Sequence, residues 1–241
     1  MSWIEGIDVS VWQGSILEGS WKALWDAGQR VAVVGSAHPR PNTYAHDNLE
    51  RAKRQGFTLA TYAVVYAGVP SAQTIATAKQ MCGSFWSELA FVGVDCETPD
   101  ITEAQIHGMV TAIEAEGLRP VIYTARWWWR DHFGDSQAFK HLPLWNAYYD
   151  SDPDIDFPST AYGGWTLEKV IGEQYAGSVN LAGVTVDRNS FLKEFVMPQT
   201  APTEAQRLLA LSWLAAASKA VAENRLPLTQ QVKDWLKLLA S

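Results

Sequence analysis

Short apolar runs alternate with longer amphipathic stretches along the first two thirds of the chain. The apolar runs predict strands, and the stretches in which apolar residues return at helical spacing predict helices. A strand followed by a helix, repeated several times, is typical of a parallel sheet covered by helices. The predicted strands span 6–11, 30–37, 57–67, 89–97, 119–125, 142–149, 169–177 and 183–191.

Amphipathic helices are predicted after each of the first five strands, and most carry a start or stop signal. Ser20, Ser71 and Thr102 are predicted N-caps, because a side-chain oxygen can accept from the free N–H groups of a first helical turn. Gly28 and Gly56 are predicted to end helices. Beyond the fifth helix, no long helix is predicted between strands. The predicted helices span 20–28, 43–56, 71–88, 102–117 and 126–134.

Eight strands with helices thinning out in the C-terminal half predict an α/β fold, a modified TIM-type barrel. An open doubly wound sheet is less favoured, because no glycine-rich nucleotide-binding motif follows the first strand. We predict that residues 1–196 form the barrel and that 197–202 form a proline-containing linker. Residues 203–241 predict a C-terminal helical hairpin, which either packs on the barrel or forms a homodimer contact.

Composition excludes several classes of protein. The chain has 241 residues, 47% of them hydrophobic, and a net charge of −7, which argues against nucleic-acid binding. No apolar run approaches the roughly 20 residues of a membrane helix, so stable membrane insertion is not expected. The N-terminus MSWIEGIDVS has no signal-peptide pattern, which predicts synthesis in the cytoplasm. No Cys and His positions have metal-ligand spacing, so neither a metal nor a cofactor is expected.

The stretch FVGVDCETP (91–99) places two carboxylates at the end of a buried strand. Side chains alternate along a strand, so Asp95 and Glu97 point to one side and Cys96 to the other, into the core. The two Cα atoms are then about 6.5–7 Å apart. Two carboxylates this close raise the pKa of one of them, which suits a general acid beside an anionic group, as in glycoside hydrolysis. The alternative is a solvated strand end whose acids cap the next helix.

Other polar residues are predicted at the mouth of the same barrel. Catalytic residues of such barrels lie at the C-terminal ends of strands. Asp8 lies on strand one, Gln174 on strand seven and Asp187 on strand eight, and strands one and eight are neighbours in a closed barrel. Each acid alone is readily explained as a cap or turn residue. Together with Asp95 and Glu97, they predict a site with four acids.

Six motifs in fixed order carry a resemblance to a known family. They are GIDVSVWQG (6–14), AKRQGFTLATYAVVY (52–66), FVGVDCET (91–98), RPVIYT (119–124), PLWNAYY (143–149) and EQY…AGVTVDRNSF (173–191). The chain resembles glycoside hydrolase family 25, the muramidase-type lysozymes of bacteria, fungi and phages. The resemblance implies a flattened barrel that cleaves the β-1,4 bond between N-acetylmuramic acid and N-acetylglucosamine in bacterial peptidoglycan, with retention of configuration.

The resemblance also implies roles for single residues. Glu97 matches the general acid, and Asp95 matches the carboxylate that supports the substrate's own acetamide as nucleophile. Asp8 and Asp187 match flanking acids that shape the site. The implied substrate-binding residues are Tyr62, Tyr66, Trp145, Tyr148, Gln174 and Tyr175.

The chain departs from the family pattern at two positions near the substrate-binding rim. Gly35 stands where the family usually has a charged residue, and Ala63 follows Tyr62 where the family often has histidine. These departures bear on subsite contacts and substrate preference more than on the reaction. The run WWWR (127–130) predicts either a sugar platform or hydrophobic cover for a barrel end.

The resemblance and the N-terminus together predict a phage or prophage endolysin. Such a protein would leave the host cytoplasm through a partner membrane-pore protein, a holin, and act on the cell wall, with the C-terminal helices as a candidate wall-targeting element. Two other functions stay open: a non-catalytic glycan-binding module on the same fold, and a related glycosidase that acts on chitin-like polymers.

Overall fold

The computed structural model describes residues 2–37, 40–155 and 161–197. Eight strands form a closed barrel in which each strand pairs with its neighbours in chain order. The strands are β1 (Trp3–Val9), β2 (Val31–Ala37), β3 (Thr58–Val64), β4 (Val92–Asp95), β5 (Pro120–Ala125), β6 (Leu144–Ala147), β7 (Val170–Leu181) and β8 (Val184–Leu192). The prediction of an eight-stranded barrel is confirmed.

Helices cover mainly the N-terminal half of the barrel, as predicted. The α-helices are α1 (Glu18–Asp26), α2 (Ala45–Gln55), α3 (Ser71–Cys82), α4 (Glu103–Ala115), α5 (Arg126–Phe133) and α6 (Lys193–Val196). Short 3-10 helices span Val11–Gln13, Gly83–Glu88 and Leu167–Lys169. Among the described residues, no α-helix lies between β6 and β8, where a two-residue turn joins β7 directly to β8.

Strand β8 closes the barrel with reversed direction. Strands β1 to β7 run parallel, whereas β8 is antiparallel to both β7 and β1. Asp8 of β1 pairs with Asp187, which belongs to the first half of β8. The expectation that every site residue lies at the C-terminal end of its strand is therefore wrong for Asp187. This residue reaches the mouth because its strand enters the barrel there.

Helices α1 and α3 start at other residues than predicted, because tertiary contacts decide where they begin. Thr102 caps α4 in a capping box with Gln105, as predicted. Helix α1, however, begins at Glu18 after Leu17, which makes no side-chain cap, so Ser20 lies inside the helix. Ser71 is the first residue of α3 rather than its cap. Its hydroxyl instead donates to the backbone oxygen of Gln105 on α4, at 2.8 Å.

Aromatic side chains fill the interior of the barrel. Trp145 packs with ring centroids 6.2 Å from Phe91, 5.6 Å from Phe191 and 4.5 Å from Tyr123. A second apolar layer lies between the strands and the helices. In the WWWR run, Trp128 and Trp129 are buried and Trp127 is exposed, so two of its three tryptophans are hydrophobic cover.

The predicted helical hairpin at 203–241 and most of the 197–202 linker lie outside the described residues. The homodimer and the targeting role assigned to that segment stay predictions. In the described ranges, no helix is long and apolar enough to span a membrane. No group of three or more His, Cys, Asp or Glu side chains in those ranges could hold a metal ion.

Candidate active site

A cavity of about 170 Å³ opens at the mouth of the barrel. Three predicted acids face it from three strands: Asp8 from β1, Asp95 from β4 and Asp187 from β8. The remaining lining residues are Val9, Ser10, Trp12, Gln13 and Tyr62. The structure thus brings together residues from both ends of the barrel sequence around one small, acidic space.

Asp8 is the most deeply buried of the four predicted acids, with 7% of its surface exposed. Its Oδ2 oxygen accepts two side-chain amide hydrogen bonds, from Gln174 Nε2 at 2.7 Å and Asn189 Nδ2 at 2.8 Å. Burial raises the pKa of Asp8 to about 8, and the nearby charge of Asp187 acts in the same direction. The two amide donors oppose this shift, because they stabilise the ionised form.

The two amides that hold Asp8 are themselves held by aromatic side chains. Gln174 Oε1 accepts from Tyr123 Oη at 2.8 Å and from Tyr149 Oη at 2.6 Å. Asn189 Oδ1 accepts from Trp145 Nε1 at 2.8 Å. The amide oxygens are thereby turned away from Asp8, and their N–H groups face it.

Asp95 and Glu97 lie together where β4 ends. The Glu97 backbone N–H donates to Asp95 Oδ1 at 3.1 Å, which folds the chain tightly after the strand. Burial raises the pKa of Glu97 to about 8, with the charge of Asp95 as the second cause. Burial also raises the pKa of Asp95, to about 6. Burial is therefore the larger cause, whereas the sequence argument relied on like-charge repulsion. Cys96 between them is fully buried.

Glu97 itself does not line the cavity, but it belongs to the same group of side chains. Burial raises the pKa of Tyr123 and of Tyr149, and the charge of Glu97 acts in the same direction; Glu97 also interacts electrostatically with Asp95. The four acids predicted from sequence thus share one electrostatic environment, as their strand positions indicated.

An irregularity in β7 wraps the backbone around Asp187. The pairing of β7 with β8 shifts register between Ala176 and Val179. In this segment the Ser178 N–H donates to Asp187 Oδ1 at 2.5 Å, with Ser178 in a left-handed conformation at φ 55°. Burial raises the pKa of Asp187 despite this hydrogen bond.

Gly35 makes room for the ring of Tyr62. A Cβ atom at position 35 would lie 2.5 Å from Tyr62 Cζ and 2.7 Å from its hydroxyl oxygen, which is far inside van der Waals contact. The departure from the family pattern at this position therefore has a local explanation. The tyrosine ring occupies the space next to β2 and forms part of the cavity lining.

Three of the predicted substrate-binding residues lie elsewhere or have another environment. Tyr175 is on the opposite face of β7 from Gln174, where its hydroxyl donates to Glu5 at 3.3 Å and the Arg188 guanidinium lies 5.1 Å from its ring centroid. It is not part of the cluster, because neighbouring residues of a strand face opposite sides. Trp145 is buried beneath the site, and Tyr66 follows the end of β3 with its backbone carbonyl bound by Gln105.

Tyr148 and Tyr149 both follow β6, but they differ in their contacts. Tyr148 is 38% exposed, and its backbone N–H donates to the Gln174 carbonyl at 3.0 Å. Tyr149 is 60% exposed and its hydroxyl reaches into the site, as described above. The sequence argument selected Tyr148 and missed Tyr149, although the two lie side by side in the motif PLWNAYY.

Trp12 is a further residue that sequence reasoning missed. It lies on the 3-10 helix Val11–Gln13, which Ser10 and Gln13 close with a capping box. This short helix turns the Trp12 side chain outwards at the edge of the cavity, where 84% of its surface is exposed. The motif DVSVWQG contained the signal: a cap, an aromatic and a glutamine directly after an acid-bearing strand.

The arrangement can carry out acid–base chemistry. At neutral pH a carboxyl with a pKa of about 8 keeps its proton, and one with a pKa of about 6 is mostly ionised. Glu97 and Asp95 thus supply a proton donor and an anion side by side, which is the pairing that glycosidic bond cleavage requires.

Comparisons with known proteins agree with this geometry. The family description "Glycosyl hydrolases family 25" matches residues 7–184. A probable GH family 25 lysozyme 5 of Dictyostelium discoideum is 28% identical over 161 residues, covering 61% of this chain and 72% of the relative.

Solved structures share the fold. A muramidase from Acremonium alcalophilum is 21% identical, with a TM-score of 0.61, over 78% of this chain and 93% of that one. The catalytic domain of endolysin ply40, from bacteriophage P40 of Listeria monocytogenes, is 16% identical, with a TM-score of 0.63, over 81% of this chain and 96% of that one. Taken with the family match over most of the barrel, they lead to one conclusion: this chain belongs to family 25 of the glycosyl hydrolases.

Proposed function

We propose that the protein is a peptidoglycan hydrolase that cleaves the β-1,4 bond between N-acetylmuramic acid and N-acetylglucosamine. The observation that carries this proposal is the Asp95–Glu97 pair at the end of β4: the Glu97 N–H donates to Asp95 Oδ1 at 3.1 Å, and burial raises the pKa of both carboxyls, to about 6 for Asp95 and about 8 for Glu97. Similarity to a muramidase and to endolysins supports the choice of substrate.

In the proposed reaction Glu97 donates its proton to the glycosidic oxygen as the bond from that oxygen to the anomeric carbon breaks. The oxygen of the substrate's own acetamide attacks the anomeric carbon, and the Asp95 carboxylate stabilises the positive charge that develops on the acetamide. Glu97, now ionised, takes a proton from the water that opens this intermediate. Two displacements at one carbon give net retention, and no enzyme carboxylate has to form a covalent bond.

The experiment that tests this function is wall lysis by wild type and Glu97→Gln. Turbidity loss of purified bacterial walls gives the rate, and mass spectrometry of the fragments identifies the bond. The amide keeps the shape of Glu97 but cannot donate a proton to the leaving oxygen, so we expect a fall of on the order of 10²–10⁴-fold in kcat. Glu114→Gln, an exposed change of the same chemistry on α4, is the matched control.

Each outcome has a distinct meaning. Fragments with reducing N-acetylmuramic acid ends from wild type and from the control, but not from Glu97→Gln, support the proposal. Binding of walls without lysis by all three proteins would favour a glycan-binding module. Faster turnover of chitin oligomers than of peptidoglycan would favour the related glycosidase. NMR of the first-formed product anomer tests the stereochemistry, and an inverted product would exclude substrate assistance.

We further propose that the protein acts as a phage or prophage endolysin. Its fold similarity to endolysin CTP1L and to the ply40 catalytic domain supports this origin. Expression in a susceptible host with and without a holin tests it. Lysis of intact cells only when both proteins are present is the expected result, and lysis by this chain alone would contradict holin dependence.

A further inference from the structure

The Gln174 side chain connects the exposed mouth of the barrel with the most buried acid of the site. Its nitrogen donates to Asp8 Oδ2, and its oxygen accepts from the hydroxyls of Tyr123 and Tyr149. Tyr123 is buried, whereas Tyr149 is mostly exposed. Both ends of the amide thus meet partners of the opposite kind, two donors at the oxygen and one acceptor at the nitrogen.

The two hydroxyls hold the amide in the orientation that Asp8 selects. A side-chain amide turned by 180° exchanges its oxygen and nitrogen with little change of shape. In the turned state the Gln174 oxygen would face Asp8 Oδ2, and two acceptors would repel each other. Oδ2 accepts hydrogen bonds both when Asp8 is ionised and when its proton is on Oδ1, so the turned state would cost this buried oxygen one of its two donors. The two tyrosine hydroxyls donate to the Gln174 oxygen and so hold the carboxamide in place with its N–H facing Asp8.

Asp8 is held through one oxygen only. Gln174 and Asn189 both donate to Oδ2, and no residue in the described part of the chain donates a hydrogen bond to Oδ1. Because Asp8 lines the cavity, its second oxygen is the one left for substrate or for a proton. The orientation of the two amides therefore sets the plane of the carboxyl and decides which oxygen has that task.

We propose that Tyr123 and Tyr149 are positioning residues for the hydrolysis, which act through Gln174 to fix the Asp8 carboxyl with its second oxygen directed at the substrate. This inference rests on the proposed function. The exposed Tyr149 ring lies at the outer end of the hydrogen-bond chain, where an arriving glycan meets it. The titratable groups that interact with Asp8 are Asp187 on β8, Asp95 on β4, Tyr62 on β3, Tyr123 on β5 and Tyr149 after β6.

The test compares Tyr123→Phe, Tyr149→Phe and the double variant. Either hydroxyl alone still holds the Gln174 oxygen, so each single change is expected to lower kcat/KM less than about threefold. The double change leaves the amide free to move away from Asp8, and a buried oxygen that loses one of its donors corresponds to about 10- to 100-fold. Tyr44→Phe, an exposed tyrosine before α2 that does not line the cavity, is the control.

A second measurement follows the Asp8 carboxyl itself. Its titration is read by carbon-13 NMR in the substrate-free protein, after circular dichroism has shown that each variant is folded. Hydrogen bonds to the ionised form lower a pKa, so the double variant is expected to raise the Asp8 pKa by about one to two units. Gln174→Leu removes the N–H donor without adding a charge, so it is expected to raise this pKa in the same way.

The two readouts separate the inference from the proposed function. A wild type that does not hydrolyse walls overturns the proposed function. An active wild type whose folded double variant shows an unchanged Asp8 titration overturns the positioning role. Single effects on kcat/KM that add up to the double effect overturn the shared action of the two hydroxyls on one amide. A shifted titration with a strongly non-additive loss of kcat/KM supports the inference.

Discussion

Trp12 is an aromatic side chain with most of its surface exposed at the edge of the acidic cavity. Aromatic rings offer a flat apolar face to ligands that present apolar ring faces, as sugars do. We expect Trp12→Ala to raise KM for glycan about tenfold, as truncation of a binding aromatic does, with little change in kcat. Steady-state kinetics on soluble wall fragments measure this.

Trp127→Ala is the comparison for that variant, since Trp127 is also exposed but does not line the cavity. The thermal unfolding temperature is expected to stay close to that of wild type in both. Equal KM values for Trp12→Ala and wild type would show that Trp12 does not contribute to glycan binding.

Gly35 governs the position of Tyr62. In Gly35→Ala the new methyl group would meet the tyrosine ring at about 2.5 Å, so the ring must move out of the cavity lining. We expect a loss of about 1–3 kcal/mol of unfolding free energy, typical of overpacking, together with lower kcat/KM. Denaturant unfolding and wall kinetics measure the two effects. Gly19→Ala in α1 is the control, because its new methyl group meets open space; a Gly35→Ala protein as stable and active as this control would contradict the explanation.

At the scale of single residues, the sequence predicted the acids that strand direction places in the site. It missed the residues that join the site through hydrogen bonds to other side chains. Asp8 and Asp95 could be predicted because each lies near the C-terminal end of an apolar strand, and parallel strands bring such ends together. Asn189 and Tyr149 could not, because their part in the site depends on hydrogen bonds to Asp8 and Gln174 across the barrel. No spacing along the chain encodes those contacts.

Neighbouring side chains of strand β7 point to opposite faces of the sheet, and this alternation decides which of them reach the site. Gln174 faces the interior and Tyr175 the outside, where it joins Glu5 and Arg188. We expect Tyr175→Phe to lower the unfolding free energy by about 0.5–1.5 kcal/mol, the net contribution of one hydrogen bond, and to leave kcat/KM near that of wild type. Urea unfolding and wall kinetics check this. A large loss of activity in a stable Tyr175→Phe protein would show that Tyr175 does contribute to the site.

Element types were more predictable than element ends. All eight strands follow from apolar runs, and Thr102 was recognisable because its capping box is local in sequence. Ser20 and Ser71 were predicted as caps and are not, since α1 gains residues before Ser20 and the Ser71 hydroxyl bonds to a neighbouring helix. The reversed direction of β8 was not predicted either, because its only local sign is the short turn after β7.

The folded protein keeps protons at pH values at which the unfolded chain would release them. Asp8 and Glu97 have pKa values of about 8 in the folded protein, well above the usual values of 3.8 and 4.5. Between those limits the folded state binds more protons than the unfolded state. The free energy of unfolding therefore falls as pH rises from about 4 to about 8. The buried acids Asp8 and Glu97 therefore make the barrel less stable at neutral pH.

Neutralising one of these acids should show the effect directly. We expect Asp8→Asn to be more stable than wild type at pH 7.5, by on the order of 2 kcal/mol, with a smaller difference at pH 4.5 and with lower activity. Thermal unfolding at several pH values measures this. The exposed change Glu114→Gln is expected to follow wild type throughout. A stability difference that does not depend on pH would show that Asp8 is ionised in the folded protein across this range.

Because β8 pairs with β1, the acid cluster is completed only after the last strand of the barrel has been synthesised. During synthesis Asp8 leaves the ribosome well before its partners Asp187 and Asn189, which belong to the last strand of the barrel. A nascent or truncated chain that lacks β8 has Asp95 and Glu97 but not the complete acid cluster. A cell that makes this hydrolase is therefore not exposed to half-finished copies with a complete site, because the final strand that closes the barrel also completes the site.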